Sequence, residues 1–247
     1  MSSAPADDAA ESASDSAPDP APATRTPSRQ SAAAARRRVR EQQILAATRR
    51  LFDESEVRDA QIDDIAKAVG INRAIIYRHF SGKEELFALA VESYLEELRD
   101  RLEAAADAHP DDPVARLGAV VGAFVDYGLE YPAFIDCAQT LMRRPGPELL
   151  DEVSEGALLR LGRAITTCLR TLTQTLQAGI ASGDFQEGDV DLLANYMYAT
   201  GLGAMQLARI GMVVKEGSPG MPAISRISGD QVREFLVSTA VSLARRR

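Results

Sequence analysis

The sequence predicts an all-α protein with a small N-terminal three-helix head and a larger C-terminal helical bundle. Apolar residues recur every three or four positions, as on one face of a helix, from Ile44 to Leu243. Gly70 follows one such stretch as a helix C-cap, and Asn72 precedes the next as an N-cap. We find no alternating strand pattern, and we expect the Gly-, Pro- and Ser-rich segment 215–230 to be a loop.

Charge is distributed unevenly along the 247 residues, whose net charge is −8. Residues 1–35 have a net charge of −3, residues 36–83 of +4, and residues 84–247 of −9. A single basic segment in an acidic chain is typical of a local phosphate-binding surface. The acidic remainder disfavours nucleic-acid binding through any other face.

Composition argues against a membrane protein and against a metal-binding protein. Residues 1–35 are acidic and rich in Ala and Pro, and they are predicted to be a disordered tail because they offer little apolar surface to bury. The absence of an apolar leader and of any run of about 18 apolar residues predicts a cytoplasmic protein with no membrane contact. Cys137 and Cys168 lack the spacing of metal ligands, so we expect buried thiols, no metal site and no cofactor.

The head is predicted from three helical stretches, which a long fourth helix follows. Helix one contains the stripe that begins at Ile44, and helix two runs over 62–69. A third helix is expected from Asn72 to about Phe80, and a long fourth helix from Lys83 to about residue 106. Helix two, the Gly70 turn and helix three have the form of a helix-turn-helix, whose second helix enters the DNA major groove. Short helix pairs also occur in ordinary bundles, so spacing alone leaves both interpretations open.

The identities of the residues indicate a class of protein more specifically than the helix spacing does. The run IDDIAKAVGIN at 62–72, followed by IYRHFSGKEELF at 76–87, resembles the DNA-binding signature of the TetR (tetracycline-repressor-like) family of transcriptional regulators. The resemblance covers roughly residues 40–90. It implies a helix-turn-helix DNA-binding domain over 36–90 and a ligand-sensing and dimerisation domain over 91–247. It also implies a homodimer that binds a double-stranded DNA operator and responds to a small-molecule effector.

The resemblance and the basic residue types together give a set of expected DNA contacts. Arg73 is the candidate for reading guanine, because its guanidinium matches the O6 and N7 acceptors, although a contact to phosphate alone stays open. Tyr77 and His79 match the family's phosphate-contacting pair, and Lys83 is expected to meet phosphate at the start of helix four. The arginines 36–40 are expected to precede helix one and to enter the minor groove or follow the backbone. The complete set is Arg36, Arg37, Arg38, Arg40, Gln61, Asn72, Arg73, Ala74, Ile75, Tyr77, Arg78, His79 and Lys83.

Two positions depart from the family pattern. Ala60 and Gln61 stand where the family usually has a threonine that caps helix two and touches phosphate. Ile75 stands where a second threonine is common, and it can contact a thymine methyl group or simply pack.

The effector site is predicted only as a pocket of apolar and aromatic side chains. Such side chains at helical spacing are also typical of ordinary core, so both interpretations remain open. The candidates are Phe124, Tyr127, Tyr131, Phe134, Cys137, Met142, Tyr196, Met197, Met205 and Arg209. Dimerisation is expected through helices over about 151–181 and 189–213, where the small residues at 199–204 permit close approach or pack within the subunit.

Other classes of function are less consistent with the sequence. Only two histidines occur, His79 and His109, and no phosphate loop, zinc motif or nucleophile elbow is present, so we expect no enzyme. The predicted function is a ligand-responsive repressor that binds a near-palindromic operator as a dimer. The alternative is a ligand-independent repressor or architectural DNA-binding protein.

Overall fold

The fold is described by a computed structural model over residues 29–54, 62–143 and 146–245. Within these ranges it contains ten helices and one antiparallel hairpin, so the predicted helical class is confirmed and a hairpin is added. The elements in chain order are α1 (Arg29–Glu54), α2 (Ile62–Val69), α3 (Arg73–Ile76), α4 (Lys83–Asp107), α5 (Pro113–Glu130), α6 (Pro132–Met142), α7 (Gly146–Glu152), α8 (Glu155–Ser182), α9 (Val190–Ile210), β1 (Met212–Ser218), β2 (Met221–Arg226) and α10 (Gly229–Ala244).

The head helices form because each has one apolar face. The inward residues of α1, α2 and α3 join a core that the first turns of α4 complete. Phe52 of α1 meets Phe87 of α4 edge to face, with 5.2 Å between ring centroids. The head core consists of Ile44, Leu45, Phe52, Ile62, Ile65, Ala66, Ile76, Phe80, Leu86 and Phe87.

The start of α1 corrects one prediction. Arg36, Arg37, Arg38 and Arg40 were expected to precede the helix, but they lie inside α1, which begins at Arg29. The reason is intrinsic propensity, because alanine and arginine are both good helix formers and no glycine or proline interrupts residues 29–40. All four arginines are exposed.

Helix α4 connects the head to the bundle. It begins at Lys83, as predicted, and ends at Asp107, one residue beyond the expected end. Phe87, near its start, is buried in the head core, whereas Tyr94 and Leu102 are buried in the part of α4 that packs against α5, α6 and α8. From Arg37 onward the described residues pack as one unit, so a single helix extends from the reading head into the centre of the bundle.

The ends of the bundle helices follow standard capping chemistry. Asp112 accepts hydrogen bonds from the backbone N–H groups of Val114 and Ala115, at 3.0 and 2.9 Å. Ser228 and Gln231 form a reciprocal capping box at the start of α10. These caps fix where each helix begins.

Two predicted boundaries are wrong. The helix expected over 151–181 is divided between α7 and α8, because Ser154 leaves the helical conformation and caps α8. The helix expected to reach residue 213 ends at Ile210, where Gly211 adopts a positive φ of 68°.

The segment predicted as a loop is instead a hairpin. Strands β1 and β2 pair antiparallel, with Val214 opposite Ile224. The β-branched residues favour strand, but the run is short and lies among Gly, Pro and Ser, so its alternation is weak. Among the described helices, none is long and apolar enough to cross a bilayer.

Candidate nucleic-acid interface and bundle cavity

The turn between α2 and α3 has the geometry of a Schellman motif. Gly70 adopts a φ of 69° and donates its N–H to the Lys67 carbonyl at 3.1 Å. Ile71 donates to the Ala66 carbonyl at 2.9 Å. This pair of bonds ends α2 and fixes the direction in which the chain enters α3.

Asn72 begins α3 as an N-cap, as the sequence predicts. Its side-chain oxygen accepts a hydrogen bond from the Ala74 N–H at 2.8 Å. Regular helix ends at Ile76, and the chain continues as turns in which His79 and Phe80 both donate to the Ile76 carbonyl. The predicted third helix is therefore shorter than expected, although the chain stays hydrogen-bonded as far as Phe80.

Arg73 lies in the first turn of α3 with its guanidinium on the surface. It donates to the Tyr77 hydroxyl at 3.1 Å and to an Asp63 carboxylate oxygen at 3.4 Å. Its side chain is still 56% exposed. These contacts hold the guanidinium beside Tyr77 on the outer face of the helix, where its donors can exchange Asp63 for another acceptor.

The other residues of α3 divide into an outer and an inner face. Ala74, Tyr77 and Arg78 are exposed, whereas Ile76 is fully buried in the head core. Ile75 is half-buried. The outer face is therefore the one available to a groove, and it contains Arg73.

His79 lies at the edge of this face. Its Nδ1 is buried, and no hydrogen-bond partner for it occurs among the residues the structure describes. Burial lowers the pKa of His79 below its ordinary value, and the neighbouring Arg37 and Arg40 act in the same direction. The lowered pKa favours the neutral imidazole, and the electrostatic effect of Arg37 and Arg40 indicates that this part of α1 lies near His79.

Lys83 is the first residue of α4. Its ammonium lies 5.1 Å from the centroid of the Phe87 ring. Gly82 precedes it as an N-cap without a side chain, so no side chain caps this helix end. Gln61, the remaining residue of the predicted set, lies outside the described residues.

A second candidate site is a cavity inside the bundle, between α4, α5, α8, α9 and α10. The space between its walls, with its opening, measures about 780 Å³. We call it the bundle cavity. It is lined by Leu95, Leu98, Leu102, Val120, Val121, Phe124, Val125, Ile165, Cys168, Leu169, Leu172, Met197, Tyr198, Thr200, Gly201, Leu236, Thr239, Ala240 and Leu243.

Of the ten predicted effector contacts, Phe124 and Met197 line this cavity. Three others, Tyr127, Tyr131 and Phe134, form a separate aromatic cluster. The remaining five lie elsewhere, so the predicted set does not describe one pocket.

Two arginines occupy the aromatic cluster. The guanidinium of Arg49 lies 5.3 Å from the ring centroid of Tyr131, and that of Arg101 lies 4.9 Å from that of Tyr127. Tyr127 is fully buried and donates its hydroxyl to the Tyr94 carbonyl at 3.0 Å. These aromatic residues therefore hold arginines of the protein itself.

The remaining five predicted contacts neither line the bundle cavity nor belong to the aromatic cluster. Met142 and Tyr196 are exposed and do not line the cavity. Cys137 is buried, Met205 is buried against Gly128, and Arg209 is paired with Asp136. Neither cysteine forms a disulfide and both are buried, as the sequence predicts.

Sequence reasoning missed Tyr198, Cys168 and the α4 residues of the lining. Leu98 and Leu102 belong to the buried face of α4, but an apolar helical stripe does not reveal which of its members face empty space. Cys168 donates its thiol to the Leu95 carbonyl at 3.2 Å, and burial raises its pKa to about 12. No sequence signal separates these residues from ordinary core.

The fold and the head define a helix-turn-helix domain followed by a helical second half. Residues 44–90 match the family model of the bacterial regulatory proteins of the tetR family. The chain is 33% identical over 84 residues to the HTH-type transcriptional regulator BetI 2 of Chromohalobacter salexigens, covering 34% of this chain and 41% of that protein. It is 27% identical over 110 residues to the HTH-type transcriptional regulator EthR of Mycolicibacterium smegmatis, covering 44% and 51%.

These matches span about half, or less, of the length of the curated relatives. A likeness of fold extends further along the chain. A bacterial regulatory protein of the tetR family from Rhodococcus RHA1 superposes with a TM-score of 0.59 and 17% identity, covering 84% of this chain and 97% of that one. At this identity the likeness shows the fold alone. Taken with the head match, it shows a tetR-type helix-turn-helix segment at residues 44–90 within a fold like that of the tetR-family proteins.

Proposed function

We propose that the chain binds a near-palindromic operator as a homodimer and that a small molecule in the bundle cavity releases it. The observation that supports this most directly is the course of α4. Lys83, a proposed phosphate contact, is the first residue of this helix, and Leu95, Leu98 and Leu102 of the same helix line the bundle cavity. One rigid element thus joins the two candidate sites.

The DNA interface in this proposal is the outer face of α3 with its basic surroundings. Arg73 reads base edges from the first turn of α3, while Tyr77 and Lys83 contact phosphates on either side. Arg37 and Arg40, which lie near His79, extend the positive surface along α1. Asn72, Ala74, Ile75 and Arg78 complete the reading segment, and Arg36, Arg38 and Gln61 stay predictions from the sequence.

A dimer is needed because one reading segment is short. The regular helix of α3 has four residues, which offers few base contacts. Two heads about one helical turn apart, roughly 34–36 Å, read two half-sites of a near-palindrome.

The exposed face of α9 supports an interface there. Leu192, Tyr196 and Ile210 are large apolar residues that are 67%, 57% and 60% exposed. They share one helical stripe with Ala199, Gly203 and Leu207, which are also exposed. Gly203 has open space around its Cα, whereas a side chain at Gly201 would meet the Phe124 ring at 2.8 Å. Gly203 therefore supports close contact between subunits, whereas Gly201 serves packing within one subunit.

Release follows from the geometry of α4. A ligand that moves the cavity end of α4 displaces the head at its other end, which changes the distance between the two α3 helices of the dimer. DNA accepts one spacing, so a displacement of a few ångströms separates a binding from a non-binding state.

Selection of bound genomic fragments tests the DNA function. The purified full chain is expected to enrich one sequence with two inverted half-sites, and fluorescence anisotropy on that fragment then gives the affinity. Enrichment of unrelated fragments, with no shared sequence, would contradict the proposal. A thermal-shift screen on the same protein tests for an effector, because a ligand of the folded state raises the melting temperature.

A further inference from the structure

The chemistry of the bundle cavity restricts what it can bind. None of the side chains that line it is charged, and aliphatic and aromatic groups supply nearly all of its walls. A charged ligand would lose its hydration there without an opposite charge in the lining, at a large cost in free energy. The walls therefore favour an uncharged molecule.

One wall of the cavity is aromatic. The rings of Phe124 and Tyr198 lie 5.9 Å apart between centroids, with their planes tilted by 56°. Gly201, which also lines the cavity, leaves room for Phe124 to approach α9. A flat ring packs well against such a surface, because tilted aromatic pairs are favourable beyond the area that they bury.

Tyr198 also brings a polar group to this apolar lining. The hydroxyl groups of Tyr94 and Tyr127 are hydrogen-bonded within the protein, to Asp53 at 2.6 Å and to the Tyr94 carbonyl at 3.0 Å. For the hydroxyl of Tyr198, no partner occurs among the residues that the structure describes. Burial raises the pKa of Tyr198 to about 12, so the group is a neutral donor and acceptor at pH 7.

The other hydroxyls of the lining are less suited to hold a ligand. Thr200 and Thr239 are helical, and a helical threonine can turn its hydroxyl to the carbonyl four residues earlier, as Thr166 does at 2.8 Å. The Cys168 thiol is already bonded to the Leu95 carbonyl. The Tyr198 hydroxyl stands at the end of a rigid ring, so it cannot reach its own helix in this way.

We propose that the bundle cavity selects a compact, uncharged, largely apolar molecule, with an aromatic ring against Phe124 and one hydrogen-bonding group paired with the Tyr198 hydroxyl. The inference rests on the proposed effector function of the same cavity. It makes Tyr198 the specificity-determining residue, and it excludes carboxylate ligands of the same size.

Three probes of one ring system test the proposal: naphthalene, 2-naphthol and 2-naphthoate at pH 7. The chain contains no tryptophan, so probe fluorescence after equilibrium dialysis is read without that background. We expect 2-naphthol to bind about 3- to 10-fold more tightly than naphthalene, the range of one neutral hydrogen bond. We expect 2-naphthoate to bind at least about 10-fold more weakly than 2-naphthol.

Two single-atom variants locate the hydrogen bond. Tyr198→Phe should lower 2-naphthol affinity to that of naphthalene and leave naphthalene affinity unchanged. Tyr131→Phe is the matched control, because Tyr131 lies in the aromatic cluster outside the lining and should change neither value. Equal losses for both probes in Tyr198→Phe, or no loss, would overturn the role of Tyr198.

The remaining outcomes separate this proposal from the regulatory one. Tight binding of 2-naphthoate, or no binding of any probe, overturns the ligand class, whatever the DNA assay gives. Probe binding in the expected order, without any change of operator affinity, supports the ligand class and contradicts release through this cavity. Operator affinity is therefore measured on the same protein preparation.

Discussion

Arg49 of α1 donates a hydrogen bond to the carboxylate of Glu97 of α4, which joins the head to the bundle through a charged pair. The same guanidinium donates to the Ser93 carbonyl at 3.2 Å and lies 4.2 Å from the centroid of the Tyr94 ring. Arg160 of α8 also pairs with Glu92 of α4 and with Glu41 of α1. The head is thus held against α4 by specific polar contacts in addition to its apolar core.

The Arg49 contacts predict a stability effect. Arg49→Met keeps much of the apolar stem but removes the charge, which leaves Glu97 without this partner. We expect the free energy of unfolding to fall by about 1–2 kcal/mol, because charge-assisted hydrogen bonds are lost at a partly exposed site. Arg50→Met, at an exposed position one residue later, is the control. Equal melting temperatures for the two variants would contradict the prediction.

Arg73 and Lys83 should differ in what they contribute to DNA binding. Arg73→Ala is expected to cost about 1–3 kcal/mol on the selected operator and to relax preference at one base position. Lys83→Ala is expected to weaken binding to all DNA sequences alike. It should also lower the slope of log affinity against log salt concentration by about one unit. Anisotropy titrations at several salt concentrations, with repeated fragment selection, measure both effects.

The control for these two variants is Arg170→Ala, an exposed arginine on α8. It changes the net charge by the same amount and lies in the acidic half of the chain. An unchanged base profile for Arg73→Ala would remove its assignment as the reading residue. If affinity depends on salt concentration equally in Lys83→Ala and in the control, Lys83 makes no phosphate contact.

Glu85 predicts a pH dependence of stability. Its buried carboxylate accepts hydrogen bonds from the Ser81 N–H at 2.9 Å and from the Ser154 hydroxyl at 2.8 Å. Burial alone would raise the pKa of Glu85, but these hydrogen bonds outweigh it and lower the pKa below the ordinary value. The stabilisation is therefore present above the ordinary pKa of about 4.3, and it is lost as the pH falls through the lower folded-state pKa.

The test is Glu85→Gln, which keeps the shape of the side chain and removes the charge. At pH 7 we expect the variant to be about 1–2 kcal/mol less stable, and the difference from the parent chain should shrink as the pH falls below about 4. Urea unfolding at a series of pH values measures it. Glu84→Gln, one residue earlier, is a control for the loss of charge. A difference that is constant from pH 7 to 3 would contradict the prediction.

The cavity and the operator should be thermodynamically linked. If a ligand found in the screen weakens operator binding, operator DNA must weaken binding of that ligand by the same factor, typically 5- to 150-fold. Titrating the ligand with and without saturating operator measures the factor directly. Equal ligand affinities, for a ligand whose binding Ala240→Leu abolishes, would show that the bundle cavity is not coupled to the head.

The sequence predicts the head well because local chemistry determines it. Gly70 and Asn72 define the turn, and the apolar positions of α2 and α4 follow helical periodicity. The start of α1 was missed because an arginine run has no apolar period. The hairpin was missed because Val213 and Val214 continue the apolar character of α9, and pairing with β2 is not visible in either strand alone.

The cavity could not be predicted in the same way. Tyr127 and Tyr198 are both tyrosines on apolar helices, and the sequence does not distinguish them. Arg49, 78 residues away in the chain, reaches Tyr127 and joins the aromatic cluster there. Tyr198 instead meets Phe124 and lines empty space. Which aromatic residue faces a cavity therefore depends on long-range packing.

The last prediction concerns the outer stripe of α9. Tyr196→Glu places a charge in the middle of the proposed interface, where a two-fold axis would bring two such charges close together. Sedimentation equilibrium is expected to change from dimer to monomer at micromolar concentration. Affinity for the full operator should fall by at least about 100-fold while affinity for a half-site stays the same, because a single head keeps its own contacts and loses only those of the second head.

Since Tyr196 is 57% exposed within one subunit, the thermal stability of the monomer should not fall as it would for a core substitution. Leu150→Glu, at a position 66% exposed on α7, is the matched control and should remain dimeric. A Tyr196→Glu chain that stays dimeric and binds the full operator with parental affinity would place the interface elsewhere.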